Sequence, residues 1–194
     1  MGSVERKLGI FMATAKTGSF YLTETVTLPA LTASGSRVSA TLDLSAYVNV
    51  PTGQAIAIDS VDFIYQASTD FGSSVSVMMP ASGALGVQLT DLNPSNSFVR
   101  ADNHSLIGSG SLQIDAPNNI ATFASDLYPD NFGASANLSE SFMVVNDTLF
   151  LTAGPDNGAI GPTETFVTAR VRCRVVKLGQ KDWIAIAIQS TAEA

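Results

Sequence analysis

The chain has 194 residues and a formal net charge of −7, and only 14% of its residues are charged, against roughly a quarter in an average soluble protein. That length suits one domain, the scarcity of Glu, Lys and Arg argues against long water-facing helices, and the acidic balance argues against a nucleic-acid binder that works by bulk charge. A single cysteine, Cys173, excludes an intrachain disulfide framework, and no apolar run approaches the roughly 18 residues that a membrane helix needs.

The N-terminal stretch 1–18 reads as an extended arm. Arg6 and Lys7 precede the apolar run Leu8–Ala13, which is shorter than the core of about 7–15 residues in a secretory leader. From residue 19 onward, short alternating runs are separated by turn residues. The run 19–28, "SFYLTETVTL", ends at Pro29, and 36–44 sets Val38, Ala40, Leu42 and Leu44 on one face and Ser39, Thr41 and Asp43 on the other. That period of two is the mark of a half-buried strand. Further strands are expected over 55–67, 73–79, 84–92, 104–115, 119–124, 140–153 and 164–178. The last run, "KDWIAIAIQST" (181–191), alternates Ile184, Ile186 and Ile188 and reads as strand or short helix, its β-branched content favouring strand.

Eight or nine such runs in one chain imply an all-β sandwich or barrel. The long connection 125–139 suits the crossings of a Greek key or jelly roll better than the tight hairpins of an up-and-down barrel. A jelly roll is therefore expected over 19–194, ahead of an immunoglobulin-like sandwich, for which no Cys…Trp…Cys pattern is present.

Residues able to do chemistry are sparse. His104 is the sole histidine, with Asp102 and Ser105 beside it; neighbours on an extended chain point in opposite directions, so they do not read as a triad. One His and one Cys cannot supply a catalytic zinc site or a cupin centre. Asp126, Asp130 and Asn131, and likewise Asp156 and Asn157, match no EF-hand loop and suit turns. Glu24, Glu140 and Glu164 lie at strand positions. No enzymatic activity, cofactor or metal is expected.

The most unusual segment is "TARVRCRVV", 168–176, in which Arg170, Arg172 and Arg174 occupy every second position and account for half of the six arginines. Alternation sends Val167, Ala169, Val171, Cys173 and Val175 into the core and the three arginines outward. Cys173 then reads as a small buried hydrophobe. The arginine row reads as a solvated strand face with cross-strand acidic partners, as a contact between subunits, or as a surface for an anionic interior ligand.

The strand number, the crossing at 125–139 and the short N-terminal arm resemble viral capsid proteins of the single jelly-roll type. The resemblance implies a coat subunit, located in the virion, that self-assembles into an icosahedral shell with copies of itself and other capsid proteins, without a small-molecule substrate. Leu8, Ile10, Phe11 and Met12 would then dock in a neighbour's groove, and Arg170, Arg172 and Arg174 would face another subunit. The acidic balance departs from small capsids with arginine-rich arms. It looks more like coat proteins of larger tailless viruses, whose shell can be separated from the genome by an internal membrane, and so leaves direct nucleic-acid contact open. The rival reading is a surface binding module, such as a spike, turret or tail-fibre head, that recognises a receptor or glycan.

Overall fold

Chains rich in β-branched residues and poor in charge bury one face of each strand against another sheet. The computed structural model, which describes residues 13–68, 75–124 and 141–191, shows this arrangement. Among the described residues, ten strands form two antiparallel sheets. The strands are β1 (Thr14–Ala15), β2 (Phe20–Leu28), β3 (Val38–Asp43), β4 (Gln54–Ala67), β5 (Gly83–Thr90), β6 (Leu106–Asp115), β7 (Ile120–Ala124), β8 (Phe142–Val144), β9 (Thr148–Asp156) and β10 (Thr165–Lys177). The first sheet runs β1–β10–β4–β8, with β2 also paired to β10, and the second runs β3–β9–β5–β6–β7. The fold is an all-β sandwich.

The pairing is nested. β2 pairs with β10, β3 with β9, β4 with β8, and β5 with β6, while β10 against β4 and β9 against β5 join the nested pairs into sheets. Between the sheets lies one core built from Val26, Leu28, Leu44, Ile56, Ile58, Leu85, Leu89, Leu149, Leu151 and Val167, with Cys173 among them. These are the inward positions of the alternating runs.

Three expectations fail. The strand expected over 73–79 is, in its described part, the single helical turn α1 (Val75–Met78). Its alternation covers too few residues to demand a ladder, and the segment instead closes one end of the sandwich. Met79 is fully buried there, and Gly161 N–H donates to the Met78 carbonyl at 2.7 Å. The run 140–153 divides into β8 and β9, which belong to different sheets. Asn146 and Asp147 make the corner, as turn-forming residues do, and Leu44 N–H donates to the Asp147 carbonyl at 2.7 Å.

The third concerns the C-terminal run, for which strand was favoured. It is the helix α2 (Gln180–Thr191). The outer face of the first sheet carries an apolar patch of Ala55, Ala57, Val176 and Leu178, with Val145 beside it. A helix can cover that patch with Trp183, Ile186 and Ala187 at three- and four-residue spacing, and these side chains pack there. Burial of the patch outweighs the modest β preference of three isoleucines.

Candidate functional site

The arginine strand has two faces, and the structure separates them as alternation requires. Val167, Ala169, Val171, Cys173 and Val175 enter the core. Burial pushes the Cys173 thiol up to about 12, with the negative charge of Asp59 adding to the effect. On the outer face the three arginines meet three different environments.

Arg170 is exposed. Its guanidinium carbon lies 4.9 Å from the centre of the Tyr21 ring, and its register partner on β4 is the exposed Asp62. Arg172 is half-buried between Tyr21 on β2 and Ser60 on β4. Arg174 does not project into solvent, contrary to the sequence reading. It is 7% exposed, and its Nη2 donates to Asp59 Oδ1 at 2.6 Å and to Ser141 Oγ at 3.3 Å.

A backbone irregularity explains the difference. Arg172 pairs with Ser60 but Cys173 pairs with Ile58, so Asp59 is an extra residue without an opposite number on β10. Such a bulge changes the phase of the strand and re-aims one side chain. Before it, Ile56 and Ile58 face the core; after it, Val61 and Phe63 do. Asp59, next after the inward Ile58, faces outward beside Arg174, and the extra residue returns Val61 to the core. Its carboxylate also accepts from Ser141 Oγ at 2.7 Å and Ser19 Oγ at 3.4 Å. The cluster ties β4, β10, the entry to β2 and the entry to β8 together. Ser141 donates to the Asp59 carboxylate and accepts from Arg174, and this geometry reads as an anchor between strands.

The arm's described part adds to the same strand. Thr14 and Ala15 pair with Lys177 and Val176, Lys16 N–H donates to the Val175 carbonyl at 2.8 Å, and Thr17 Oγ1 accepts from Val175 N–H at 3.0 Å. Leu8, Ile10, Phe11 and Met12 lie outside the described residues, as does the connection 125–139.

His104 lines a cleft of about 350 Å³ with Asp102, Asn103, Leu106, Ile107 and Phe142 among its walls. Asn103 Oδ1 accepts from both the backbone N–H and the hydroxyl of Ser105, at 2.9 and 2.7 Å. The Ser105 hydroxyl is spent in that turn, and Asp102 is exposed beside Arg100 at 3.6 Å. The Ser105 hydroxyl and the Asp102 carboxylate thus each have a partner other than His104. Among the described residues no group of three or more His, Cys, Asp or Glu side chains could hold a metal ion.

Sequence reasoning missed Asp91, which stands just past the end of β5. It is 3% exposed, and burial raises its carboxyl from the ordinary value near 3.8 to about 7. Its backbone N–H donates to the Ser105 carbonyl at 3.0 Å, and Asn146 Nδ2 donates to its backbone carbonyl at 3.0 Å and reaches its Oδ2 at 3.5 Å. Oδ1 is buried without a hydrogen-bond partner among the described residues. Only the "TDLNP" context, acid after a strand run, hinted at a turn residue.

No family model and no curated protein matches the chain. Among solved structures, one of turnip yellow mosaic virus at 100 K is similar over 84% of this chain and 96% of that chain, with 10% identity and a TM-score of 0.30. A second structure of turnip yellow mosaic virus has 11% identity over the same shares, also with a TM-score of 0.30. At that score the likeness does not establish a shared fold, and the functional reading stands on the chain's own geometry.

Proposed function

We propose that the chain is a structural subunit of a virion shell, whose nested strand pairing is a jelly-roll winding and whose task is to pack against copies of itself. A fold of this kind hosts many functions, so the weight falls on the surface. Large apolar side chains are exposed on several separate elements: Tyr21 on β2, Leu31 after it, Val50, Ile120 and Phe123 on β7, and Ile184 and Ile188 on α2. A charge-poor domain with apolar contacts on so many sides suits a molecule surrounded by neighbours. This distribution is the observation that carries the reading.

In this reading Arg170 and Arg172 are the outer-face cations left for an acidic surface of a neighbour, while Arg174 serves its own subunit. The arm, residues 1–18, ties subunits together. Electron microscopy of purified protein tests the proposal: the full chain forms regular shells, and a chain lacking residues 1–17 folds with the same circular dichroism but does not assemble. Shells of normal size and yield from the truncated chain would remove the arm from the account. A small closed oligomer from the full chain would favour the binding-module reading, to which the cleft at His104 lends a ligand-sized recess.

A further inference from the structure

We infer that Arg170 and Arg172 form with Tyr21 a binding site for inorganic phosphate or a phosphate monoester. The inference goes beyond the shell reading, because it concerns a small ion on the free subunit. A neighbour's carboxylates and such an ion would compete for the same two cations.

The site shows in how the fold distributes its acids. The chain holds 17 acidic residues against 10 lysines and arginines, so partners for a cation are plentiful. Arg37 pairs with Asp156 at 2.7 Å, Arg174 with Asp59 at 2.6 Å, and Arg100 stands 3.6 Å from Asp102. Arg170 and Arg172 form no ion pair among the described residues, and the exposed Asp62, opposite Arg170 in the β4 register, does not close on it. Arg172 is half-buried, and its Nε is buried without an acceptor among the described residues. A buried guanidinium donor in that state costs stability, and a charged oxygen acceptor relieves the cost. No hydrogen bond among the described residues holds this side chain, so rotation about its outer bonds presents the fork of Nε and Nη.

Tyr21 arranges the pair. It stands opposite Arg172 in the β2–β10 register, and the Arg170 guanidinium carbon lies 4.9 Å from the centre of its ring. Stacking fixes the plane of that cation and leaves its N–H edge free to donate. Two residues along a strand separate the arginines by about 7 Å. A guanidinium that grips two oxygens of a phosphate lies roughly 4 Å from the phosphorus, so one ion reaches both forks. Inorganic phosphate and its monoesters have three or more free oxygens to share between the forks. A carboxylate or a phosphodiester has two, enough for one fork. The geometry therefore favours phosphate and its monoesters over the backbone of a nucleic acid, which the acidic net charge also repels.

Broadening of the phosphorus magnetic resonance line of each probe by the full chain tests the site, at about pH 8, where phosphate is mainly the dianion. Inorganic phosphate and methyl phosphate are expected to broaden alike, and dimethyl phosphate roughly fivefold less or weaker still. Arg172→Met and Arg170→Gln are each expected to remove about four-fifths of the broadening, whereas Lys181→Gln, an exposed cation on α2, leaves it unchanged. Asp62→Asn removes a negative charge near the ion and is expected to raise the apparent affinity about threefold. Arg170 is exposed, so Arg170→Gln carries the test even where Arg172→Met fails to fold. Equal broadening of dimethyl phosphate and inorganic phosphate, or equal losses from Arg170→Gln and Lys181→Gln, would overturn the inference in favour of diffuse attraction to positive charge. Broadening by the parent chain no greater than by a chain carrying both arginine substitutions would overturn it outright.

Discussion

Replacing Asp91 with Asn probes a single buried carboxyl by its pH signature. Asp91 is 3% exposed and its carboxyl is raised from near 3.8 to about 7 by burial. In the unfolded chain the group loses its proton near pH 4, whereas in the folded chain it keeps the proton until about pH 7. Between those values the folded state binds more protons, so stability falls as pH rises, and the loss is complete once the folded group has also ionised. Three pH units at about 1.4 kcal/mol each give a loss of about 4 kcal/mol between pH 4 and pH 8. Asn carries no charge at any of these values and still accepts from Asn146 Nδ2. Asp91→Asn is therefore expected to be nearly neutral at pH 4 and to gain on the parent up to pH 7. With an urea slope of about 2–3 kcal/mol per molar, the midpoint difference reaches between about 1.3 and 2 M at pH 8. Urea unfolding followed by the fluorescence of Trp183, in half-unit steps from pH 4 to 8, measures it. A difference between the two proteins that stays constant across the window would refute the assignment, because a packing effect has no reason to follow this titration.

Two other residues give shorter tests. Arg174→Met strands Asp59 as a buried charge and is expected to cost about 3–5 kcal/mol, while Asp59→Asn added to it recovers more than half; additive losses in urea unfolding would count against a coupled pair. The Cys173 thiol, raised by burial to about 12, should not react with a disulfide reagent at pH 8 in the native protein and should give one equivalent in denaturant, and fast native reaction would show that the strand face is open.

Most of the sandwich was legible because the signal is local. In β3 and β10 the apolar residues recur every second position, and one face must be buried. The breaks were harder to see, although one left a trace. In "AIAIDSVDF", Ile56 and Ile58 are followed at a spacing of three by Val61, and that skipped beat is the bulge at Asp59. The fate of Arg174 was not legible, because it depends on residues 115 positions away at Asp59 and 33 away at Ser141. Nor was α2. Alternating isoleucines satisfy a strand, and the reason for a helix is a patch assembled from β4, β10 and the corner after β8. The orphaned oxygen of Asp91 likewise arises where two loops close over a side chain, not from its neighbours in sequence.

The bulge and the helix together turn a uniform arginine row into a graded surface. The outer face of β10 begins under α2, where Val176 is fully buried, passes through the buried Arg174 and the half-buried Arg172, and reaches open solvent at Arg170. A flat row of three exposed guanidinium groups on adjacent outward positions would be repelled by itself and indifferent to orientation. Pairing the innermost with Asp59 neutralises it and fixes the strand against its neighbours. The outermost rests on Tyr21, a stacking that desolvates one side of the cation while leaving its edge free to donate. The face therefore presents one positioned cation beside an aromatic ring, with a second half-sunk behind it. In the shell proposed above, such a face would make a directional contact, able to fix the angle at which a neighbour sits, and orientation is the property that a regular assembly requires of each of its contacts.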